Sequence, residues 1–334
     1  MRALVVRLDS FGDVLLAGPA VRAVARHADE VALLCGPRGE PAARLLPGVD
    51  RVIVWDAPWV GPEPPPVDPD DVARVTGRIA AFGADDALVL TSFHQSPLPT
   101  ALLLRMARVP RIAADSEDYP GALLDLRHRR AAHAHEAEAA LDLAAAAGFP
   151  PAEDDDGRLA VLPPPDTSAL TGPEPYVVLH PGASVPARAW SPGRCAEAVR
   201  ELAAAGHRVL VTGGPGERRL TARVAGPHGL DLGGRTDAAT LAGVLSRARA
   251  VVTGNTGPAH LAAAVGTPVV SLFAPVVPAG RWRPWGVPHV LLGDQEAPCA
   301  GSRARTCPVP GHPCLDTVTA LDVLTAVEKV MVSR

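Results

Sequence analysis

The chain has 334 residues, 47% of them hydrophobic and 20% charged, with a formal net charge of −4 at pH 7. This length allows two medium domains with a core each, and the composition excludes a disordered or collagen-like chain. The sequence has no apolar run of the roughly 18 residues that a membrane span needs, no basic excess, and five scattered cysteines. We therefore expect a cytoplasmic protein with no transmembrane segment and no nucleic-acid partner.

The first half alternates short β-branched runs with helical stretches, a pattern typical of parallel α/β units. Strands are predicted at 3–8, 31–35, 52–55 and 87–91, and helices at 14–28, 72–82, 100–108 and 133–147. The stretch 162–175 is too rich in Pro for a helix or a central strand, so it predicts an interdomain linker. We place the domains at 1–165 and 166–334.

The pattern restarts in the second half. Strands are predicted at 176–180, 209–212, 250–253 and 269–273, and helices at 193–205, 217–225, 238–248 and 318–332. We expect the last helix to pack back on the N-terminal domain. The fold class is α/β, with two Rossmann-like parallel sheets, and ligands of such sheets bind at the carboxyl ends of the strands.

The turn after the first predicted strand contains Asp9, Gly12 and Asp13 but lacks G-x-G-x-x-G, so a dinucleotide fingerprint is absent. A carboxylate after this strand could remove a proton from an attacking hydroxyl. The alternative for Asp13 is structural, as a cap of the next helix.

Three loops of the second half carry residues that are suited to bind a nucleoside diphosphate. After strand 176–180, Arg188 is a candidate phosphate clamp, and Ser191 and Pro192 are typical of a helix start. Glu217 follows a Gly-rich turn, where a carboxylate accepts from ribose hydroxyls or simply opens a helix. Thr256 and His260 flank another helix start, whose N–H groups and dipole favour an anion.

Five segments occur in a fixed order: Gly12-Asp13, His180 to Trp190, Gly213 to Glu217, Asn255 to His260, and Phe273-Ala274-Pro275. In this order they resemble glycosyltransferase family 9, the ADP-heptose:lipopolysaccharide heptosyltransferases and their relatives. The resemblance spans nearly the whole chain. It implies the glycosyltransferase B fold, two Rossmann-like domains with their sheets facing a central cleft. The acceptor would bind the first domain and the nucleotide sugar the second.

The resemblance also assigns roles by position. Asp13 matches the base of an inverting, metal-independent transfer. Gly12, beside it in the same motif, is a candidate acceptor contact, and so is His94, because it follows a strand in the acceptor half. The implied donor-binding residues are Ala183, Ser184, Arg188, Glu217, Thr236, Asn255, Thr256, Gly257 and His260. Arg188 stands where the family usually has lysine, and Asn255 where it typically has aspartate. The second difference removes a negative charge beside the donor sugar.

No cofactor is expected, because the ADP-sugar is a substrate and the transfer uses no metal. Arg188, His260 and the helix start would stabilise the leaving diphosphate. The spacing of Cys299, Cys307 and Cys314, with His312, differs from that of a standard zinc site, which favours buried thiols.

The acceptor is inferred from charge. Residues 1–165 contain 16 Arg and no Lys against 24 Asp plus Glu, a net charge of −8, and residues 166–334 contain 16 basic and 12 acidic residues, a net charge of +4. A basic second half suits an anionic nucleotide sugar, and an acidic first half suits a neutral or cationic acceptor of aminocyclitol or aminoglycoside type.

Three other functions stay open on the sequence. The first is a lipopolysaccharide-core heptosyltransferase, whose anionic acceptor suits the acidic half poorly. The second is a non-catalytic relative that binds nucleotide sugars, and the third is an epimerase of a related two-domain fold. We expect a monomer in each case.

Overall fold

The computed structural model describes residues 1–61 and 63–332. The chain divides into two compact units, Met1–Leu162 and Pro163–Arg334. The division falls at the start of the Pro-rich stretch. We refer to the two parts as the N-terminal and the C-terminal unit.

The N-terminal unit alternates strands and helices as parallel α/β proteins do. Its strands in the described residues are Arg2–Arg7 (β1), Glu30–Cys35 (β2), Arg51–Val54 (β3), Asp86–Val89 (β4), Arg111–Asp115 (β5) and Leu126–His128 (β6). Its α-helices there are Phe11–Leu16 (α1), Gly18–His27 (α2), Glu40–Ala43 (α3), Pro69–Phe82 (α4), Leu98–Met106 (α5) and Glu136–Ala146 (α6).

The C-terminal unit repeats the alternation. Its strands in the described residues are Val177–His180 (β7), Val209–Val211 (β8), Gly229–Asp231 (β9), Ala250–Gly254 (β10), Val269–Leu272 (β11) and His289–Leu292 (β12). Its α-helices there are Ser168–Thr171 (α7), Pro192–Ala204 (α8), Arg218–Ala225 (α9), Ala238–Ser246 (α10), Gly257–Ala264 (α11), Ala279–Trp282 (α12), Pro313–Asp316 (α13) and Ala320–Val332 (α14).

Each unit contains one parallel sheet, six-stranded over the described residues, with orders β3-β2-β1-β4-β5-β6 and β12-β11-β10-β7-β8-β9. The predicted α/β class with a parallel sheet in each unit is confirmed. The strand order reverses beside β1 in the first sheet and beside β7 in the second. Loops that leave neighbouring strands in opposite directions open a crevice there, which is where ligands of such sheets bind.

The two faces of β1 have different partners, because successive side chains of a strand point to opposite faces. Leu4 and Val6 belong to a buried cluster with residues of α4 and α5, such as Val75 and Leu104. Arg7, at the end of the strand, has its side chain on the other face. That face is covered by α2, and α6 packs against α2.

The predicted first helix, 14–28, is two helices. α1 ends at Leu16, and α2 begins at Gly18 with Pro19 in its first turn. A proline removes a backbone donor but fits the first turn of a helix, so it marks a new start here. The sequence prediction also missed β5, β6, β9 and β12, which are short or carry charged residues that break the β-branched pattern.

The predicted linker is folded at its start. α7 lies inside it, Thr171 is fully buried, and a Cβ added at Gly243 of α10 would lie 2.4 Å from the carbonyl oxygen of Pro165. This part of the stretch therefore packs on α10 as a piece of the C-terminal unit. The last helix, which we expected on the N-terminal domain, packs against α8 and strands β10 to β12 of the C-terminal unit. Among the described helices, none is both long and apolar enough to cross a membrane.

Candidate active site

Asp13 lies in the first turn of α1, directly after β1. Its Oδ2 accepts hydrogen bonds from the Ser10 hydroxyl at 2.6 Å and from the Ser10 backbone N–H at 3.3 Å. Its Oδ1 accepts from Nη2 of Arg7 at 3.3 Å. The carboxylate thus opens the helix, as the structural alternative required, while its side chain stays 18% exposed. It is both fixed and accessible.

The carboxyl ends of β1, β4, β5 and β6 bring a group of charged side chains together beside Asp13. Arg7 also contacts Oε2 of Glu136 at 3.4 Å and the Ser92 hydroxyl at 2.9 Å. Arg130 donates to the other oxygen of Glu136 at 3.1 Å and forms an ion pair with Asp115. Sequence reasoning missed this network, although an arginine ending an otherwise apolar strand was a usable signal.

Asp9 adds a second carboxylate to the same loop. Its Oδ2 lies 3.0 Å from Nε of Arg7, and its Oδ1 accepts from Nε2 of Gln95 at 2.6 Å. Burial raises the pKa of Asp9 to about 6, against the opposing effect of Arg7. Asp9 therefore binds a proton at a higher pH than an exposed aspartate does.

The two predicted acceptor contacts differ in exposure. Gly12 is buried inside α1, next to Asp13. His94 is exposed in the loop after β4, with its ring edge-on to Phe93 at 5.3 Å between centroids. Ser92 and Gln95 of that loop contact Arg7 and Asp9, so His94 lies in the loop that borders the carboxylates. Its role in acceptor binding stays a prediction.

In the C-terminal unit, Arg188 ends a short 3-10 turn, Pro186–Arg188, in the loop after β7. A segment before the last helix braces this loop. The Ala187 backbone N–H donates to the carbonyl of Arg305 at 2.9 Å, and Nε1 of Trp190 donates to the carbonyl of Leu315 at 3.1 Å. The predicted cap at Ser191 is present, since its hydroxyl accepts from the backbone of Arg194. The base of the Arg188 loop is therefore fixed.

Glu217 lies in the loop after β8 and faces the β7 loop. Its Oε2 accepts from the Gly214 backbone N–H at 2.7 Å and lies 4.0 Å from Nε2 of His180. A Cβ added at Gly182 would lie 1.9 Å from Glu217 Oε1. The side chain is 32% exposed, so it performs its structural role at the helix start and still presents an acceptor to solvent.

His180 is buried at the end of β7. Its Nδ1 lies 3.0 Å from the Thr212 hydroxyl. Burial lowers the pKa of His180, and the nearby Glu217 opposes that effect. The imidazole is therefore neutral at pH 7 and does not add a positive charge to the site.

The turn between β10 and α11 holds the remaining diphosphate candidates. Thr256 is the N-cap, Gly257 begins the helix, and His260 follows in its first turn, 5% exposed. Asn255 is also 5% exposed, and among the described residues neither of its amide atoms has a hydrogen-bond partner. Buried polar groups of this kind normally have partners, so this amide suits a ligand.

The other predicted donor residues lie along the same strand edge. Ala183 is half-buried and Ser184 is exposed, both in the loop after β7, and Thr236 is half-buried in the loop after β9. The Gly234 backbone N–H donates to the carbonyl of Gly213 at 2.8 Å, which joins the β8 and β9 loops. The predicted donor-binding residues lie in the loops that follow β10, β7, β8 and β9, which are neighbours in the sheet. These residues therefore converge on one edge of the sheet, where the carboxyl ends of these strands lie.

The cysteine group of the C-terminal unit consists of thiols that lie near one another. Cys299 and Cys314 are buried, and burial with the neighbouring Cys299 and Cys307 raises the pKa of Cys314 to about 12. Within residues 1–61 and 63–332, no group of three or more His, Cys, Asp or Glu side chains is arranged to hold a metal ion.

The chemistry of the two units differs. The N-terminal unit presents a fixed carboxylate at a strand end, which can accept a proton. The C-terminal unit presents an arginine, a helix start and a carboxylate on one edge, which suit a diphosphate and a polyhydroxylated ring.

Known proteins resemble this chain over large parts of its length. The family model described as Glycosyltransferase family 9 (heptosyltransferase) matches residues 82–312. Lipopolysaccharide heptosyltransferase 3 of Escherichia coli is 29% identical over 167 residues, 47% of this chain and 47% of that protein. The match thus spans about half the length of this curated relative.

Solved structures share the fold over nearly the whole chain. A glycosyl transferase of family 9 from Veillonella parvula has a TM-score of 0.78 and 17% identity, covering 100% of this chain and 97% of the other. The E. coli heptosyltransferase WaaC with ADP-2-deoxy-2-fluoro heptose has a TM-score of 0.67 and 21% identity, covering 98% and 99%. At sequence identities this low, the similarity shows that the folds are alike and nothing more.

Proposed function

The chain belongs to glycosyltransferase family 9, and from this we propose that it transfers a heptose from ADP-heptose to a hydroxyl group of an acceptor. The observation that carries the proposal is the strand edge of the C-terminal unit, where Arg188, Glu217 and the start of α11 converge. The E. coli neighbour WaaC was solved with ADP-2-deoxy-2-fluoro heptose, which supports the choice of donor.

In this proposal the donor lies along the edge formed by the loops after β7 to β10. The start of α11 and the Arg188 guanidinium bind the diphosphate, and the His260 side chain donates a further hydrogen bond to it. Glu217 accepts hydrogen bonds from the ribose hydroxyls, and Thr236 borders the adenine. The buried amide of Asn255 can both donate and accept, so it suits a sugar hydroxyl.

Asp13 acts as the base. Its carboxylate takes the proton of the acceptor hydroxyl, whose oxygen attacks the anomeric carbon from the face opposite ADP. A new carbon–oxygen bond forms as the bond to the diphosphate breaks with its electron pair, so the configuration inverts and ADP leaves. The base must lie within hydrogen-bond reach of that hydroxyl. Its partly exposed side chain, with both oxygens fixed by Ser10 and Arg7, fits this role.

Negative charge grows on the diphosphate as this bond breaks. Fixed donors aimed at that charge lower the barrier because they do not have to reorganise during the reaction. The Arg188 loop is braced by hydrogen bonds to the carbonyls of Arg305 and Leu315, and α11 packs against β10 and β11. We propose that these groups carry the stabilisation without a metal ion.

For the acceptor we propose a neutral or cationic small molecule of aminocyclitol or aminoglycoside type. The N-terminal unit has the negative charge excess, and its carboxylates include the buried Asp9 and Glu136 beside Asp13. A second candidate is a lipopolysaccharide core, because the curated relative is named as a lipopolysaccharide heptosyltransferase.

Calorimetric titration with ADP, UDP and GDP, each with and without magnesium, tests the donor assignment first. We expect selective ADP binding of equal strength in both conditions, and tighter binding of ADP-heptose. A preference for UDP, or a requirement for magnesium, would contradict the assignment. Release of a free sugar isomer without acceptor would indicate an epimerase instead.

Asp13→Asn tests the base. We expect turnover to fall by about 10²- to 10⁴-fold, which is the usual contribution of general base catalysis, with ADP affinity unchanged. Asp142→Asn, an exposed change on α6, is the control and should keep full activity. If Asp13→Asn keeps wild-type turnover, another group is the base.

Transfer to aminocyclitol acceptors and to lipopolysaccharide cores, each measured from 20 to 300 mM salt, separates the two acceptor candidates. Screening weakens attraction between exposed charges. We expect the acceptor KM of an amine-bearing substrate to rise with salt. Activity confined to anionic cores, and insensitive to salt, would exclude the cationic acceptor.

A further inference from the structure

A buried arginine lies between the end of β1 and the Asp13 carboxylate. Arg7 is 2% exposed, and its Nη2 donates to Oδ1 of Asp13 at 3.3 Å and to the Ser92 hydroxyl at 2.9 Å. On its other edges the guanidinium faces Oε2 of Glu136 at 3.4 Å and Oδ2 of Asp9 at 3.0 Å. Negative groups surround it, so they fix its orientation.

Glu136, which accepts from both Nη1 and Nη2 of Arg7, is itself fixed. It is 2% exposed at the start of α6, and its Oε1 accepts from Nη1 of Arg130 at 3.1 Å. Arg130 in turn donates to the carbonyl of Thr91 at 2.7 Å and pairs with Asp115. Charges alternate along this line from Asp115 to Asp13, and the line is anchored at the ends of β4, β5 and β6.

Stability alone gives little reason for this arrangement. Desolvation of buried charges offsets much of their attraction, and well-packed apolar residues are often as stable in their place. Arg7 lies on the same face of β1 as Ala3 and Val5, which are both buried, so this face would accept an apolar side chain at position 7. Asp13, to which the proposed function gives a role, has a side chain that is 18% exposed, against 11% for Asp9 and 10% for Arg130. The side chains of Arg7 and Glu136 are only 3% and 1% exposed.

We propose that Arg7 is the positioning residue of the Asp13 carboxylate and that Glu136 fixes Arg7 for this purpose. The proposal rests on the role of Asp13 in the proposed function. α1 has six residues, so it offers its own first turn little support. Ser10 holds one carboxylate oxygen and Arg7 the other, which leaves the Asp13 side chain one orientation. Catalytic groups have to be held within about 0.5 Å of their working position.

Arg7→Met, Arg7→Lys and Glu136→Gln test the proposal through kcat, donor KM and ADP affinity. We expect Arg7→Met to lower kcat by about 10- to 100-fold, because a catalytic group displaced by about 1 Å can lose about 10²-fold in rate, with donor KM and ADP affinity unchanged. Lysine keeps the charge but lacks the planar fork, so Arg7→Lys should fold and keep an intermediate kcat. Glu136→Gln should lower kcat in the same direction.

Arg22→Met is the matched control. Arg22 forms a bidentate, partly buried pair with Asp155 in the same unit, away from these strand ends. We expect it to lose stability but keep kcat. If Arg7→Met does not fold, Arg7→Lys and Glu136→Gln decide the question, because Arg7→Lys keeps the positive charge and Glu136→Gln keeps a polar group of similar shape.

A double-mutant cycle with Asp13→Asn separates positioning from general damage. If Arg7 acts through Asp13, Arg7→Met should cost no further rate once Asp13 is changed. An equal loss in both backgrounds, or a kcat for Arg7→Met within twofold of wild type, would overturn the proposal. If Asp13→Asn itself keeps full turnover, the proposed function of Asp13 has failed instead.

A crystal structure of Arg7→Lys beside the wild type gives a readout that does not depend on transfer. We expect the Asp13 carboxylate to leave its wild-type orientation or to adopt two. An unmoved, single Asp13 conformer in the variant would count against Arg7 even if no acceptor had been identified.

Discussion

At the scale of single residues, the space beside Gly182 is taken by the carboxylate of Glu217. An added Cβ would lie 1.9 Å from Oε1 of Glu217. The obstacle is the end of a flexible side chain, so Gly182→Ala should fold. Glu217 would have to move and give up its bond to the Gly214 backbone N–H.

We therefore predict that Gly182→Ala weakens ADP binding by about tenfold, the worth of one hydrogen bond to a charged group. Titration calorimetry measures this directly. In a Glu217→Ala background the same change should have almost no effect. Gly193→Ala, where an added Cβ meets nothing within 4 Å, is the control. Equal losses with and without Glu217 would contradict the role of this carboxylate.

His180 makes the stability of the C-terminal unit depend on pH. Burial holds the pKa of His180 below its ordinary value of about 6.5. Between that lowered pKa and 6.5 the unfolded chain binds a proton that the folded chain excludes, so stability falls as pH falls through this window.

We predict that the unfolding free energy of wild type drops more steeply from pH 7 to pH 5 than that of His180→Gln. The difference in slope is at most about 1.4 kcal/mol per pH unit, the value for one proton. Urea unfolding followed by tryptophan fluorescence measures it, since Trp190 is buried in this unit. Parallel curves for the two proteins would refute the assignment.

At the scale of elements, the first part of the Pro-rich stretch acts as a folded piece of the C-terminal unit. α7 lies there, and Thr171 donates to the carbonyl of Thr167 at 3.1 Å. Gly243 of α10 lets this segment approach closely, since a Cβ there would lie 2.4 Å from the backbone carbonyl oxygen of Pro165 and 2.7 Å from Cγ2 of Thr167. Backbone cannot give way as a side chain tip does.

Gly243→Ala should therefore lower the free energy of unfolding by about 1–3 kcal/mol, the usual cost of overpacking. Gly193→Ala is again the matched control, and it should be neutral or slightly stabilising because alanine favours a helix. Denaturant midpoints of the two variants provide the comparison. If Gly243→Ala is as stable as wild type, residues 163–172 do not pack on α10 in solution.

At the scale of the whole molecule, the chain separates its chemistry between two units with their own cores. The predicted donor residues, from Ala183 to His260, belong to the C-terminal unit, and Asp13 belongs to the N-terminal one. The charge excess divides in the same way.

We predict that residues 163–334, expressed alone, bind ADP within about tenfold of the full chain's affinity, because each proposed contact comes from this unit and a tenfold change is about 1.4 kcal/mol. Residues 1–162 alone should bind no ADP. Calorimetry on both fragments, with circular dichroism to verify folding, measures this. A folded C-terminal fragment without ADP affinity would place part of the donor site elsewhere.

The sequence alone determined the fold class and most strands and helices, because the alternation of β-branched and helical runs is a local property. It also determined the family, through short motifs in a fixed order, and it placed the Ser191 cap and the strand-end loops. It failed where the local signal was weak, in β5, β6, β9 and β12, and where Pro19 begins a second helix.

Only the tertiary structure decided which side chains meet. Arg7 and Glu136 are 129 residues apart in sequence, and their contact exists because β1 and α6 bring them to one sheet edge. Gly182 and Glu217 meet because β7 and β8 are neighbours. A periodic pattern records which face a residue occupies, but the partner across that face depends on strand order, which the pattern does not contain.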